Sequence, residues 1–168
     1  RVDRRQRQMC IRDRFYFECY QTMIYQIQEM LYIERGGKEQ LKDEIKAYNP
    51  LVPKGKELVA TLMFEIDNEK RRKDFLTSVG GIENKTFIKI GDKKVVAVPE
   101  DDTDRTSEDG KASSVHFLHF KFDEDLVQLF MKGDKDVIIG FDHPNYKHFS
   151  EISKASINEL SNDFDINH

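Results

Sequence analysis

The chain has 168 residues, with 27 Lys plus Arg against 31 Asp plus Glu, a net charge of −4, 12 Phe and no Trp. A chain this long buries roughly 68–70% of its unfolded surface in one core, and its aromatic content argues against disorder. No apolar run approaches the roughly 18 residues of a membrane-spanning helix, and an acidic chain has no counterion-release drive toward nucleic acid.

The first fourteen residues, RVDRRQRQMCIRDR, stand apart. They hold six Arg and two Asp, with only Val2, Met9, Cys10 and Ile11 as apolar residues. No strand or helix period survives, and no apolar stretch follows that would make a targeting peptide. A basic arm for nucleic acid or an anionic membrane is one reading. The better one is translated sequencing-adaptor read-through, so residues 1–14 are read as non-native and 15–168 as a single domain truncated at its N-terminus. Without them the balance is 21 basic against 29 acidic residues, a net charge of −8. Cys19 is then the one cysteine, which excludes an intrachain disulfide and fits a reducing, cytoplasmic setting.

Residues 15–20 (FYFECY) predict a short strand. From Thr22 the apolar positions Met23, Ile24, Ile27, Met30 and Leu31 follow helical spacing. Gly36-Gly37 interrupts, and 38–48 resumes as a second helix facing inward through Leu41, Ile45 and Tyr48. Pro50 ends it, and Val52-Pro53-Lys54-Gly55 reads as a turn. Leu58, Ala60, Leu62, Phe64 and Ile66 alternate as a strand. Asp67 is the expected N-cap of a charged helix over 68–78, closed by Gly80-Gly81. Residues 86–90 and 94–98 flank Gly91-Asp92 as a hairpin. An acidic loop covers 99–112, followed by a strand at 114–122. Asp123 caps a helix at 124–132. Residues 135–142 form the last clear strand, and a weak helix lies at 155–160. These elements predict an α+β single domain, mainly an antiparallel sheet with helices packed on one face.

Three residues stand out as candidate metal ligands. At about 100° per residue, Glu34 falls in the centre of the first helix's apolar stripe. A carboxylate there either ligates a metal, acts as an acid or base with a shifted pKa, or reaches water and a nearby cation at a frayed helix end. His116 shares a strand face with Leu118 and Phe120, as a ligand or as a satisfied core imidazole. His119 points to the other face, so the HxxH spacing does not converge on one ion. His143 closes the face of Val137, Ile139 and Phe141, with Pro144 fixing its backbone. Asp142 beside it points the opposite way and cannot orient it as a triad aspartate would. Together Glu34, His116 and His143 make a candidate 2-His-1-carboxylate set for iron or another divalent metal. No phosphate loop, nucleophile elbow, zincin or EF-hand motif is present.

YQIQEMLYIER (25–35), AYNPLVP (47–53), SVHFLHF (114–120) and GFDHPNY (140–146) resemble, in order and spacing, the bacterial family catalogued as domain of unknown function 3501. The resemblance spans about residues 15–160 and implies a small single α+β domain. Its members begin with an additional N-terminal segment that this chain lacks. His119 stands where the pattern usually carries Arg, and the Gly36-Gly37 region is shorter. Glu34, His116, Asp142 and His143 match. The resemblance also implies genes set beside rubrerythrin-like and iron–sulfur oxidoreductase-like proteins. The expected function is therefore a non-catalytic accessory or interaction protein of a redox or oxidative-stress system, with a redox protein as partner and no membrane or nucleic acid. The alternative is a metal-binding protein or metal-dependent enzyme using the His/His/Glu set.

Overall fold

The structure, a computed structural model, describes residues 5–8, 12–100 and 110–164. Cys10 and most of the acidic loop, residues 101–109, lie outside the described residues. Two antiparallel sheets face each other across one core. The first is built from β1 (Gln6–Gln8), β2 (Asp13–Glu18), β3 (Glu57–Phe64), β7 (Val115–Lys121) and β6 (Val98–Pro99), in that spatial order. The second runs β5 (Lys93–Val96), β4 (Thr86–Ile90), β8 (Val137–His143), β9 (Tyr146–Glu151). The α+β class with antiparallel pairing stands, with the strands divided into two sheets.

Alternation sets the faces. In the first sheet Phe15, Phe17, Leu58, Ala60, Leu62, Phe64, His116, Leu118 and Phe120 point inward and are buried. In the second, Ile88, Ile90, Val137, Ile139 and Phe141 meet them. Phe15 stacks on Phe141 with ring centroids 5.5 Å apart, which joins the two sheets directly. Three helices close the core: α3 (Glu69–Ser78) through Leu76, α4 (Glu124–Lys132) through Val127 and Phe130, and α5 (Lys154–Leu160) through Ile157 and Leu160. The chain passes from the second sheet to the first at Ala97, between β5 and β6, so the expected strand at 94–98 is split between them.

A helical hairpin, α1 (Tyr20–Glu34) and α2 (Gly37–Tyr48), stands on the outer face of the first sheet. Helix α1 starts two residues earlier than its apolar period indicates, with Cys19 as N-cap and its backbone N–H donating to Thr22 Oγ1 at 2.8 Å. It buries Met23 and Ile27. Helix α2 buries no residue: Leu41 and Ile45 are 37% and 49% exposed, and of the expected stripe only Tyr48 packs, partly buried, against Met23, Leu51 and Val59.

Other boundaries move for local reasons. Strand β2 begins at Asp13 and not at Phe15, and Gln6–Gln8 pairs with residues 14–16, so described parts of the stretch set aside as non-native sit in the first sheet. The cap of α3 is Asn68 and not Asp67: its side chain accepts from the Arg71 N–H at 2.9 Å. Strand β9 follows the His143-Pro144-Asn145-Tyr146 turn as a six-residue return strand of the hairpin that the polar composition of Tyr146–Glu151 hides. Among the described residues no helix is long and apolar enough to cross a membrane.

Candidate functional site

The three candidate metal ligands occupy different places. Glu34 ends α1 on the exposed side of the hairpin and accepts a 3.0 Å hydrogen bond from Gln40 Nε2. The helix buries only Met23 and Ile27, and residues 32–35 at its end are exposed, so Glu34 enters no core. His116 is fully buried in β7, its Nε2 donating to the Ser113 carbonyl at 2.9 Å and its Nδ1 3.8 Å from Glu83. His143 is buried at the end of β8. Its Nε2 donates to the Gly80 carbonyl at 3.1 Å and its Nδ1 accepts from the Asn145 N–H at 3.2 Å. Asn145 Nδ2 also donates to the Ser78 carbonyl. Asn145 thus satisfies the Ser78 carbonyl that the end of α3 leaves without a helical partner, and His143 holds the Gly80 carbonyl in the turn that follows. Among the described residues no three His, Cys, Asp or Glu side chains gather into a group able to hold a metal ion. Asp142 points away from His143 and pairs with Lys94 and Lys147.

Convergent chemistry lies instead on the outer face of the first sheet. Antiparallel register aligns Tyr16 with Thr61 and Thr61 with Phe117, and aligns Val59 with both Glu18 and His119. The β6 pairing sets Val98 opposite His119, two residues before Glu100. Tyr48 and Leu51, at the foot of α2, pack on Val59 and divide this face into two clefts.

In the first cleft, His119 is clamped between carboxylates: Nδ1 lies 3.1 Å from Glu57 Oε2 and Nε2 lies 2.6 Å from Glu100 Oε2. Only an imidazolium can donate from both nitrogens. The hydrogen bond to Glu57 raises the His119 pKa most, Glu100 adds to it, and partial burial opposes both. For Glu57, burial pushes upward, yet the His119 hydrogen bond and charge, with the Lys54 N–H, bring it below its ordinary value. Lys54, Lys56 and Lys121 line the same cleft, of about 490 Å³. His119, set aside in sequence because HxxH splits across the strand, has a carboxylate against each of its ring nitrogens.

The second cleft, of about 440 Å³, lies between α1 and the sheet and is mostly apolar. Glu18 reaches into it from the last position of β2. Its Oε1 accepts from Thr61 Oγ1 at 2.6 Å and its Oε2 from Thr22 Oγ1 at 2.7 Å. Sequence reasoning missed Glu18 and Thr61. Both lie at outward positions of alternating strands, yet only the register shows that they meet. Cys19 beside them is buried, and its thiol donates to Gln21 Oε1 at 3.2 Å.

Two facing antiparallel sheets with a helical hairpin on one outer face, and polar groups gathered beneath it, define an α+β protein with a partly covered sheet. The chain belongs to the family described as protein of unknown function (DUF3501), whose model matches residues 2–164. The crystal structure of a novel protein of unknown function from Burkholderia pseudomallei K96243 is similar to it. The two are 35% identical with a TM-score of 0.89, over 98% of this chain and 86% of that one. Comparison with curated proteins gives no match.

Proposed function

We propose that the protein is a non-catalytic interaction protein that docks onto a partner protein through its α1–α2 hairpin. One observation carries this reading: most of the exposed large apolar side chains among the described residues stand on the hairpin, with Phe149 of β9, at 64%, the most exposed elsewhere. Tyr32 is 78% exposed, Ile33 70% and Ile45 49%, and Tyr25 and Leu41 add to the same element. Scattered exposed apolar residues are ordinary, but several concentrated on one projecting element mark a protein contact surface. The hairpin's acidic and basic residues are nearly balanced, with Glu29, Glu34, Glu39, Asp43 and Glu44 against Arg35, Lys38, Lys42 and Lys46. Such a rim disfavours a strongly charged partner and leaves apolar contact as the attraction.

The chemistry elsewhere supports a binding role. His116 donates Nε2 to the Ser113 carbonyl with Nδ1 3.8 Å from Glu83, His143 engages both ring nitrogens with backbone groups, and Cys19 is buried. A partner from a redox or oxidative-stress system, in the cytoplasm, is what the family resemblance supports.

Photo-crosslinking in cells tests the reading, with the reactive amino acid placed at Ile33 or Ile45, and at Lys93 on the far sheet as control. The expected result is one discrete heterologous adduct from both hairpin positions and none from Lys93, with the adduct being a redox protein. A ladder of unrelated adducts, or an adduct with a second copy of the chain alone, overturns the accessory role. A single non-redox partner keeps the docking face and removes the redox setting.

A further inference from the structure

We propose that the cleft between α1 and the outer face of the first sheet binds a small organic ammonium compound, its cation against Glu18 and its apolar body among Met63, Tyr48 and Phe117. A volume of about 440 Å³ falls in the range of small-molecule sites. Such sites pair apolar walls with a few placed polar groups. Of the two charged groups in this lining, Arg5 is paired with Asp163 and Glu18 is not ion-paired among the described residues, which makes the chemical class specific.

Glu18 is 9% exposed, and no ion pair reaches it among the described residues. Each of its oxygens accepts one threonine hydroxyl, leaving each with a further lone pair for a donor. The two hydroxyls hold the carboxylate in place without neutralising it. Burying a carboxylate is costly unless a cation meets it. Arg5, which also lines the cleft, is engaged by Asp163 through hydrogen bonds of 2.7 and 2.8 Å.

The walls favour the same class. Tyr25, Tyr48 and Phe117 bring aromatic rings to one small space, and ring faces attract organic cations, while the Tyr16 ring already carries the Arg14 guanidinium. Met23, Met63 and Val115 supply apolar surface for the rest of the molecule. An anion would meet the Glu18 carboxylate, and a neutral compound would leave it without a cation.

Calorimetric titration of the full chain with phenethylamine, phenethyl alcohol and phenylacetate tests the assignment. Saturable one-to-one binding of phenethylamine is expected, with the alcohol about tenfold weaker or more and no heat from phenylacetate. In Glu18→Gln, which keeps an acceptor for a threonine hydroxyl, the preference of amine over alcohol should disappear. Should that variant fail to fold, Phe117→Leu leaves the carboxylate in place and should weaken the amine several-fold more than the alcohol. Equal affinity for amine and alcohol, no saturable binding of the amine, or an unchanged preference in the folded Glu18→Gln protein would each overturn the proposal.

Discussion

His119 illustrates how two neighbours decide the behaviour of one residue. Its folded pKa is raised above the ordinary 6.5, chiefly by Glu57 and then by Glu100, against the pull of burial. A group raised in this way contributes stability in full below its unfolded value and loses it as pH rises through the folded value. Glu57 is lowered, so its share is present above the unfolded carboxylate value of 4.5 and is lost as pH falls through the folded one. The clamp therefore acts between these limits, with both shifts describing the same interaction. His119→Gln is expected to cost about 1–2 kcal/mol at mildly acidic pH. In urea unfolding that cost should shrink as the pH passes from below 6.5 into the alkaline range. A pH-independent cost would show that His119 is held for its shape and not its charge. The residue was visible in sequence as a histidine on a strand's outer face. Its partners were not, because Glu57 lies 62 positions away and meets it only through β3–β7 pairing.

At the scale of an element, local chemistry was mostly readable where a side chain bonds its own backbone. Asp123 caps α4 as its spacing indicates, accepting from the Leu126 N–H. At α3 two adjacent candidates compete, and the extended backbone of Asn68 gives it the role that Asp67 was expected to fill. Asn68→Ala should therefore lower stability by about 1 kcal/mol in thermal unfolding, whereas Asp67→Ala should change it little. Equal losses from the two would refute the assignment. Glycine adds a constraint that only pairing reveals. A Cβ on Gly140 would lie 2.5 Å from the His148 carbonyl and 2.5 Å from Phe149 Cβ, which is why β8 carries glycine where β9 crosses it. The hairpin shows the opposite case. The stripe of Leu41, Ile45 and Tyr48 was plain in sequence, but periodicity states that a face is apolar and not what covers it. In the fold Leu41 and Ile45 remain exposed, and Glu34, central to the stripe of α1, is exposed as well.

Across the whole molecule the two sheets share one core, and Phe141 is its joint. It stacks on Phe15 and packs beside Phe64 and Tyr146. Phe141→Ala is expected to cost about 3–5 kcal/mol, since a large cavity would open at a fully buried site. Hydrogen exchange should then rise together in β3 and β8, one from each sheet. Faster exchange confined to the second sheet would mean that the sheets unfold separately. The sequence by itself determined the α+β class, the family, the inward alternation of β3, β7 and β8, the Asp123 cap and the Gly91-Asp92 turn, because these depend on short-range periodicity and backbone geometry. The tertiary structure alone decided that the strands form two sheets, that Glu34, His116 and His143 stay apart, and that Glu18 meets Thr61 while His119 meets Glu57 and Glu100. Those outcomes depend on strand register and on where an element overhangs the core, and neither is encoded in any single stretch of chain.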